Sequence, residues 1–326
     1  MKIGIDAMGG DNAPLEIVKG AYLAAKENED INFILFGTKS VIDNLETDIS
    51  SCENIEIVDT LSVVTMEDDP MIVMKEKNDS SMAVGLRALK NGEIDTFISA
   101  GSTGALHTAS TLIVRKIKGI RRSAIATVIP FETPILMLDS GANPTVTSDI
   151  LNQWAILGSI YVEQMYGVKN PRVGLLNNGT EEHKGTPEVM DAYQLLKKND
   201  RINFIGNVEA KELPKSPCDV LITDGFTGNI TLKLLEGMGA FMFRSLRKIF
   251  ESNLKTKMSY IMVKDKLKSL KNSFDASEYG GAPLLGTAKP VIKAHGSSTA
   301  TDIKNAVRQA KAYVSTGIID KVADLI

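Results

Sequence analysis

Short runs of β-branched and other apolar residues alternate with longer amphipathic stretches along almost the whole chain, and this alternation limits the fold more than any single motif. It is the pattern of repeated βαβ units and of a mainly parallel sheet in an α/β protein. Strands are expected at Lys2 to Ile5, Ile31 to Phe36, Ile55 to Val58, Thr96 to Ser99, Ala124 to Ile129, Ile135 to Asp139, Arg172 to Leu176, Asn203 to Ile205, Val220 to Thr223 and Val291 to Ala294. Helices are expected at Pro14 to Asn28, Ser80 to Asn91, Thr103 to Ile117, Ser148 to Tyr166, Pro187 to Asn199, Thr227 to Phe250 and Ala300 to Gly317. Neither an internal repeat nor a Pro/Gly-rich linker interrupts them, so residues 1–326 read as a single unit.

One segment departs from the alternation. From Arg244 to Asp275 the text is basic and amphipathic, with nine Lys or Arg against three acids, in a chain whose net charge is -3. A helical hairpin inserted at about 244–275 is the expectation, packed on its own protein, on a second subunit, or against an anionic membrane or acidic protein. The overall charge balance gives no reason to expect nucleic acid. Cys52 and Cys218 stand far apart with no C-x-x-C, which fits a reducing compartment. With no signal-like start and no apolar run of about eighteen residues, the expected location is the cytoplasm.

Polar, glycine-containing loops follow six of the strands, where open α/β sheets place their ligands. The first, Asp6-Ala7-Met8-Gly9-Gly10-Asp11-Asn12-Ala13-Pro14, matches neither the dinucleotide fingerprint nor a P-loop; Asp11 or Asn12 is expected to cap the helix that follows. The second, Ser99 to Leu106, combines Ser102, Thr103 and Gly104 at a helix start, where N–H groups and hydroxyls favour an anion. The third, Leu138 to Asn143, supplies Asp139 and Asn143. The fourth, Asn177 to Glu188, carries His183 and Lys184, suited to holding a dianion or protonating a leaving group. Thr223 to Asn229 brings Asp224, Thr227 and Asn229 to the start of a long helix, and Lys293 to Ser298 carries Lys293, His295, Ser297 and Ser298. His295, beside Gly296 and two serines, is the best placed of three histidines to titrate near neutrality, whereas His107 lies within an amphipathic helix and reads as structural. With no nucleophile elbow and no cysteine in a site loop, covalent catalysis by the protein is not expected, and no zinc-type cluster is present.

Five of these loops together resemble the bacterial phosphate acyltransferase family, known as PlsX. They are Ile5 to Asp11, Ser99 to Ala105, Asp139 to Asn143, Thr223 to Asn229 and Lys293 to Ser298, in order along the chain. The resemblance implies a three-layer α/β/α sandwich similar to phosphate acetyltransferases and isopropylmalate dehydrogenase, in a homodimer that meets the membrane peripherally. It also implies transfer of a long-chain acyl group from acyl carrier protein to inorganic phosphate, giving acyl phosphate for phospholipid synthesis. Ser102 stands where related chains usually carry Asn, and Asn178 and Thr180 also depart from the usual pattern.

On that basis phosphate attacks the thioester directly, with no cofactor. Lys184 with the Ser102 and Thr103 hydroxyls would hold phosphate, His295 or Lys293 would stabilise the oxyanion or protonate the thiolate, and Asp224 would assist. Asp6, Gly9, Gly10, Asp11, Gly104, Asn143, His183, Thr227, Asn229, Ser297 and Ser298 complete the expected substrate-binding set, the aspartates orienting cations and loops rather than binding phosphate. Two readings from other classes compete: a Mg²⁺- and nicotinamide-dependent dehydrogenase using Asp6 and Asp224, and a non-catalytic scaffold docking through 244–275.

Overall fold

A computed structural model describes residues 1–273 and 276–325. Eleven strands form one sheet in the order β3-β2-β1-β4-β11-β10-β5-β6-β9-β7-β8 among the described residues. They are β1 (Lys2–Asp6), β2 (Asn32–Gly37), β3 (Ile55–Asp59), β4 (Thr96–Ser99), β5 (Ala124–Ile129), β6 (Ile135–Leu138), β7 (Arg172–Asn177), β8 (Asn203–Glu209), β9 (Val220–Ile222), β10 (Ala282–Leu285) and β11 (Val291–Lys293). All ten expected strands are present, and β10 is additional.

The helices are α1 (Leu15–Glu27), α2 (Lys39–Asp43), α3 (Ser81–Asn91), α4 (Thr103–Ala109), α5 (Ser148–Tyr166), α6 (Pro187–Lys197), α7 (Gly225–Glu251), α8 (Leu254–Ser273), α9 (Ala300–Ser315) and α10 (Ile318–Leu325). They cover both faces of the sheet. One buried cluster joins α1, α5 and α9 to strands of both halves; a second joins α3 and α4 to β4, β10 and β11. This is a three-layer α/β/α sandwich. The inner strands β4, β6, β9 and β11 are buried along their whole length, as strands covered on both faces must be.

Strand direction divides the sheet. β3, β2, β1, β4 and β11 run parallel, as do β6, β9, β7 and β8, while β10 is antiparallel to both β11 and β5, and β5 is antiparallel to β6. The two parallel sets therefore point in opposite directions. Ala282 at the start of β10 pairs with Lys293, and Leu285 at its end pairs with Ala124.

Several local expectations are corrected. Neither Asp11 nor Asn12 caps α1: Pro14 holds the cap position with no side-chain acceptor, and Asn12 Nδ2 instead donates to the carbonyls of Ser297 and Ser298 at 3.0 and 3.3 Å. The helix expected to run to Ile117 becomes a π-helical turn over Ser110–Val114 and stops where Arg115 takes a φ of 72°. The expected hairpin is formed by the end of α7 and by α8, joined through Ser252 and Asn253; its last two positions, 274–275, lie outside the described residues. Leu232 and Leu235 of α7 pack against a buried cluster, whereas Met238, Phe241 and Met242 are exposed.

Candidate active site

The loops at the ends of β1, β4 and β11 form one group. Asp6, only 1% exposed, accepts the hydroxyls of Ser81 and Ser99, each at 2.6 Å, and the N–H of Met8 at 3.3 Å. Burial raises the pKa of its carboxyl, and these hydrogen bonds oppose the rise. Ser99 Oγ in turn accepts the Gly101 N–H at 3.1 Å, so Asp6 sets the geometry of the Ser99–Gly101 turn without facing solvent. Gly9 is required here, because a Cβ would stand 2.4 Å from Asp6 Oδ2 and 2.8 Å from the Gly101 nitrogen. Asp11, exposed, donates its N–H to Gly296 O at 2.8 Å, which ties the first loop to the last.

Lys293 lies in the same group and is nearly enclosed. Its Nζ donates to the carbonyls of Ala100, at 3.3 Å, and Ala294. Burial pulls its pKa down to about 8, while the negative charges of Asp6 and Asp11 work in the other direction. A lysine poised there is charged or neutral near physiological pH, as an acid–base group needs. His295 is exposed; its Nδ1 accepts the Ser297 N–H at 3.3 Å and lies 2.9 Å from Ser297 Oγ, which places the proton of the neutral ring on Nε2. Ser298 is buried and donates its hydroxyl to His295 O at 2.7 Å. Ser102 caps α4 weakly, accepting the Ala105 N–H at 3.5 Å, with Thr103 half-buried and Gly104 exposed beside it.

The loops after β6 and β9 form the second group. Asp139 is fully buried: Oδ1 accepts the N–H groups of Ile125, Gly141 and Ala142 at 3.0–3.2 Å, and Oδ2 accepts Asn143 N and Nδ2 at 2.7 and 2.8 Å. Asp224 caps α7, taking Thr227 N at 2.8 Å and Thr227 Oγ1 at 2.7 Å. Gly225 N donates to Asn143 O at 2.8 Å, and Asn229 lies exposed near Gly141.

His183 and Lys184 follow β7, the parallel neighbour of β9, on the same end of the sheet as the second group. They are exposed on the loop after β7, where Asn177 Nδ2 donates to Lys184 O at 3.0 Å, and neither side chain makes a hydrogen bond or ion pair among the described residues. Asp6 and Asp224, the ligands of the dehydrogenase reading, are in different groups, with their oxygens committed to hydroxyls and N–H donors. No group of three or more His, Cys, Asp or Glu arranged for a metal occurs among the described residues.

Helix α4 connects the two groups. It starts at Ser102, and His107 Nε2 near its other end lies 3.3 Å from Ser123 O and 3.2 Å from Ser123 Oγ. Asn143 Nδ2 donates to that same carbonyl at 2.8 Å. Beside α4, β10 rises about 10 Å over the three residue steps between its pairing with Lys293 and its pairing with Ala124. Sequence reasoning missed Ser81, Ser123 and the role of His107. It also missed the segment before α3, which puts Met66 against Gly296 and Pro70 against Gly104.

Comparison with known proteins gives the family. Residues 1–321 match the family model described as "Fatty acid synthesis protein". The phosphate acyltransferase of Caldicellulosiruptor bescii is 44% identical over 321 residues, covering 98% of this chain and 96% of its own. That of Pediococcus pentosaceus is 43% identical, covering 99% and 94%.

The chain belongs to the PlsX phosphate acyltransferase family.

As a phosphate acyltransferase it is an enzyme that transfers acyl groups. The phosphotransacetylase of Streptococcus pyogenes shares its fold, with a TM-score of 0.66 over 97% of this chain and 94% of the other at 18% identity. A branched-chain phosphotransacylase from Enterococcus faecalis gives 0.56, covering 97% and 99% at 17% identity. A 4-hydroxythreonine-4-phosphate dehydrogenase from Klebsiella pneumoniae shares the architecture at 0.53, covering 97% and 98% at 10% identity.

Proposed function

We propose that this phosphate acyltransferase, acting as one unit of residues 1–326, moves a long-chain fatty acyl group from acyl carrier protein to inorganic phosphate. A phosphate oxygen attacks the thioester carbonyl, the C–S bond breaks, and the products are acyl phosphate and the carrier thiol, feeding phospholipid synthesis. The observation that carries this reading is the nearly enclosed Lys293, held at the strand ends beside α4 with a pKa of about 8. Its ammonium stabilises the oxyanion and delivers a proton to the departing sulfur.

The remaining groups have supporting roles. Ser102, Thr103 and the N–H groups around Gly104 receive phosphate; the Nε2–H of His295 faces the thioester oxygen; Lys184 and His183 draw the anion in from the rim. Asp6, Gly9, Gly10, Asp11, Ser297 and Ser298 shape the first loop group, and Asn143, Asp224, Thr227 and Asn229 the second. A protein nucleophile is not part of the scheme: burial pushes the Cys218 thiol up to about 12.

Two surfaces complete the proposal. Phe226, Ile230, Leu234, Met238 and Phe241 recur at helical spacing on α7 and are all more than half exposed, a stripe suited to the same helix of a second copy. The basic hairpin rests on an anionic membrane; no helix among the described residues is long and apolar enough to cross one.

The test is phosphate-dependent thiol release from palmitoyl-acyl carrier protein with acyl phosphate detected by mass, run beside NAD⁺ and Mg²⁺. Acyl phosphate formed without nucleotide or metal is the expected result. Turnover only with nucleotide would return the dehydrogenase reading, and no turnover the scaffold reading.

A further inference from the structure

The loop between α4 and β5 carries a charge pattern that the proposed chemistry does not use. From Thr96 to Phe131 there is no Asp or Glu, yet Arg115, Lys116, Lys118, Arg121 and Arg122 fill five of the eight positions 115–122 in a chain of net charge -3. The loop is held firmly. Arg115 O accepts the Ala288 N–H at 2.9 Å, Ile117 N donates to Gly286 O at 3.0 Å, and Arg122 O accepts the indole N–H of the buried Trp154 at 2.9 Å. Gln153 grips it from α5, accepting Arg121 N at 3.0 Å and donating to Gly119 O at 2.9 Å.

The cations are presented outward. Arg121 pairs with Asp149 at 3.0 Å and Arg122 donates to Thr145 O at 3.1 Å, but Arg115 and Lys118, both exposed, have no ion-pair partner among the described residues. Leu112, 47% exposed, stands three residues before Arg115 and adds an apolar contact. A rigid basic ledge with one apolar neighbour recognises an acidic protein surface, since its geometry is fixed before binding and its field steers the encounter.

Position decides what such a partner delivers. Thr103 and Arg115 are separated by α4 and its π turn, about 16 Å along the helix, and the carbonyl of Ser123, the residue after Arg122, meets both His107 of α4 and Asn143 of the second loop group. The hairpin cations begin at Arg244, about 28 Å along α7 from Gly225. We infer that the ledge 115–122 is the docking surface for the acidic carrier protein, which feeds its flexible thioester arm along α4 into the site. This rests on the reading that a carrier protein is the acyl donor.

The experiment compares palmitoyl-acyl carrier protein with palmitoyl-pantetheine, using wild type and Arg115→Glu/Lys118→Glu. The expected result is a rise of at least about tenfold in KM for the carrier-borne substrate, with a flattened salt dependence and unchanged kinetics on palmitoyl-pantetheine. Arg115→Ala/Lys118→Ala serves if the reversal does not fold, with a rise of several-fold expected. An unchanged KM for the carrier protein at low salt, or a rise produced only by Arg244→Glu/Lys248→Glu, overturns the assignment of the ledge while leaving the carrier protein as donor. A wild-type enzyme that turns over palmitoyl-pantetheine and ignores the carrier protein overturns both.

Discussion

Ser99 and Asp6 are joined by a 2.6 Å hydrogen bond between the carboxyl ends of two adjacent parallel strands. With Ser81 on the other carboxylate oxygen, Asp6 serves as the fixed point from which the first loop group is built. Replacing it with Ala leaves two buried hydroxyls without their acceptor, and the expected cost is about 2–4 kcal/mol of unfolding free energy. Urea titration measures this, and Asp6→Asn, which keeps one acceptor oxygen, is expected to lose less.

Lys293 opposes stability in order to serve the site. Its pKa is lowered on folding from an ordinary value near 10.5 to about 8. The unfolded chain therefore binds the extra proton between those values, so stability rises as pH climbs from about 8 to 10.5 and is reduced by about 3 kcal/mol below pH 8. Lys293→Met is expected to be more stable than wild type at pH 7 by a few kcal/mol and to lose acyl transfer. In wild type, turnover falls as pH rises through about 8, where the ammonium is lost. Thermal melts and a pH–rate profile check both statements.

His107 positions α4 through Ser123. Removing its ring in His107→Ala is expected to raise KM for phosphate about tenfold, for a net cost of roughly 1–2 kcal/mol, with kcat less affected. His107→Gln, which keeps a donor within reach of Ser123 O, is expected to recover most of the loss. Steady-state kinetics with phosphate as the varied substrate distinguishes positioning from general destabilisation.

Two glycines of α7 should respond in opposite ways to the same change. A Cβ on Gly228 would stand 1.9 Å from the Asp139 carbonyl oxygen, whereas around Gly237 nothing lies within 4 Å. Gly228→Ala is expected to destabilise by several kcal/mol because backbone must move, and Gly237→Ala to stabilise by about 0.5–1 kcal/mol through helix propensity. Melting temperatures of the two variants give the answer.

The α7 stripe and the hairpin give separable readouts. Leu234→Asp is expected to turn a dimer into a monomer in sedimentation. Lys264→Glu with Lys266→Glu, both exposed on α8, is expected to weaken binding to anionic vesicles and leave the oligomer intact.

Much of this architecture was legible because strand signals in a mainly parallel sheet are strong: short apolar runs such as Ile135–Leu138 sit between turn-forming and polar residues, here Thr133-Pro134 and Asp139-Ser140-Gly141. β10 was not, because Pro283 breaks its short run and only two leucines follow. The segment before α3 was not either, since Pro70–Met74 is a 3-10 turn with no helical or strand period, fixed by Asp69 accepting the Met71 N–H at 2.8 Å. At the site, loop positions were readable from strand ends, but the use of each polar atom was not. Asp224 reads in sequence as orienting cations and loops, and in space its oxygens cap α7. His107 looks like filler in an amphipathic helix, and its partner Ser123 is sixteen residues away, so no local pattern announces the pair.

The position of β11 between β4 and β10 has a consequence for how the chain is made. Among the described residues, β11 is laid down after all ten other strands, and α9, which packs with α1 in one core, follows it. As the protein leaves the ribosome, its amino-terminal half must wait with β4 unpaired along one edge until the last few dozen residues arrive. Closing that edge also brings Gly296 O to the Asp11 N–H, so the enzyme acquires its site and completes its fold in the same late, long-range step.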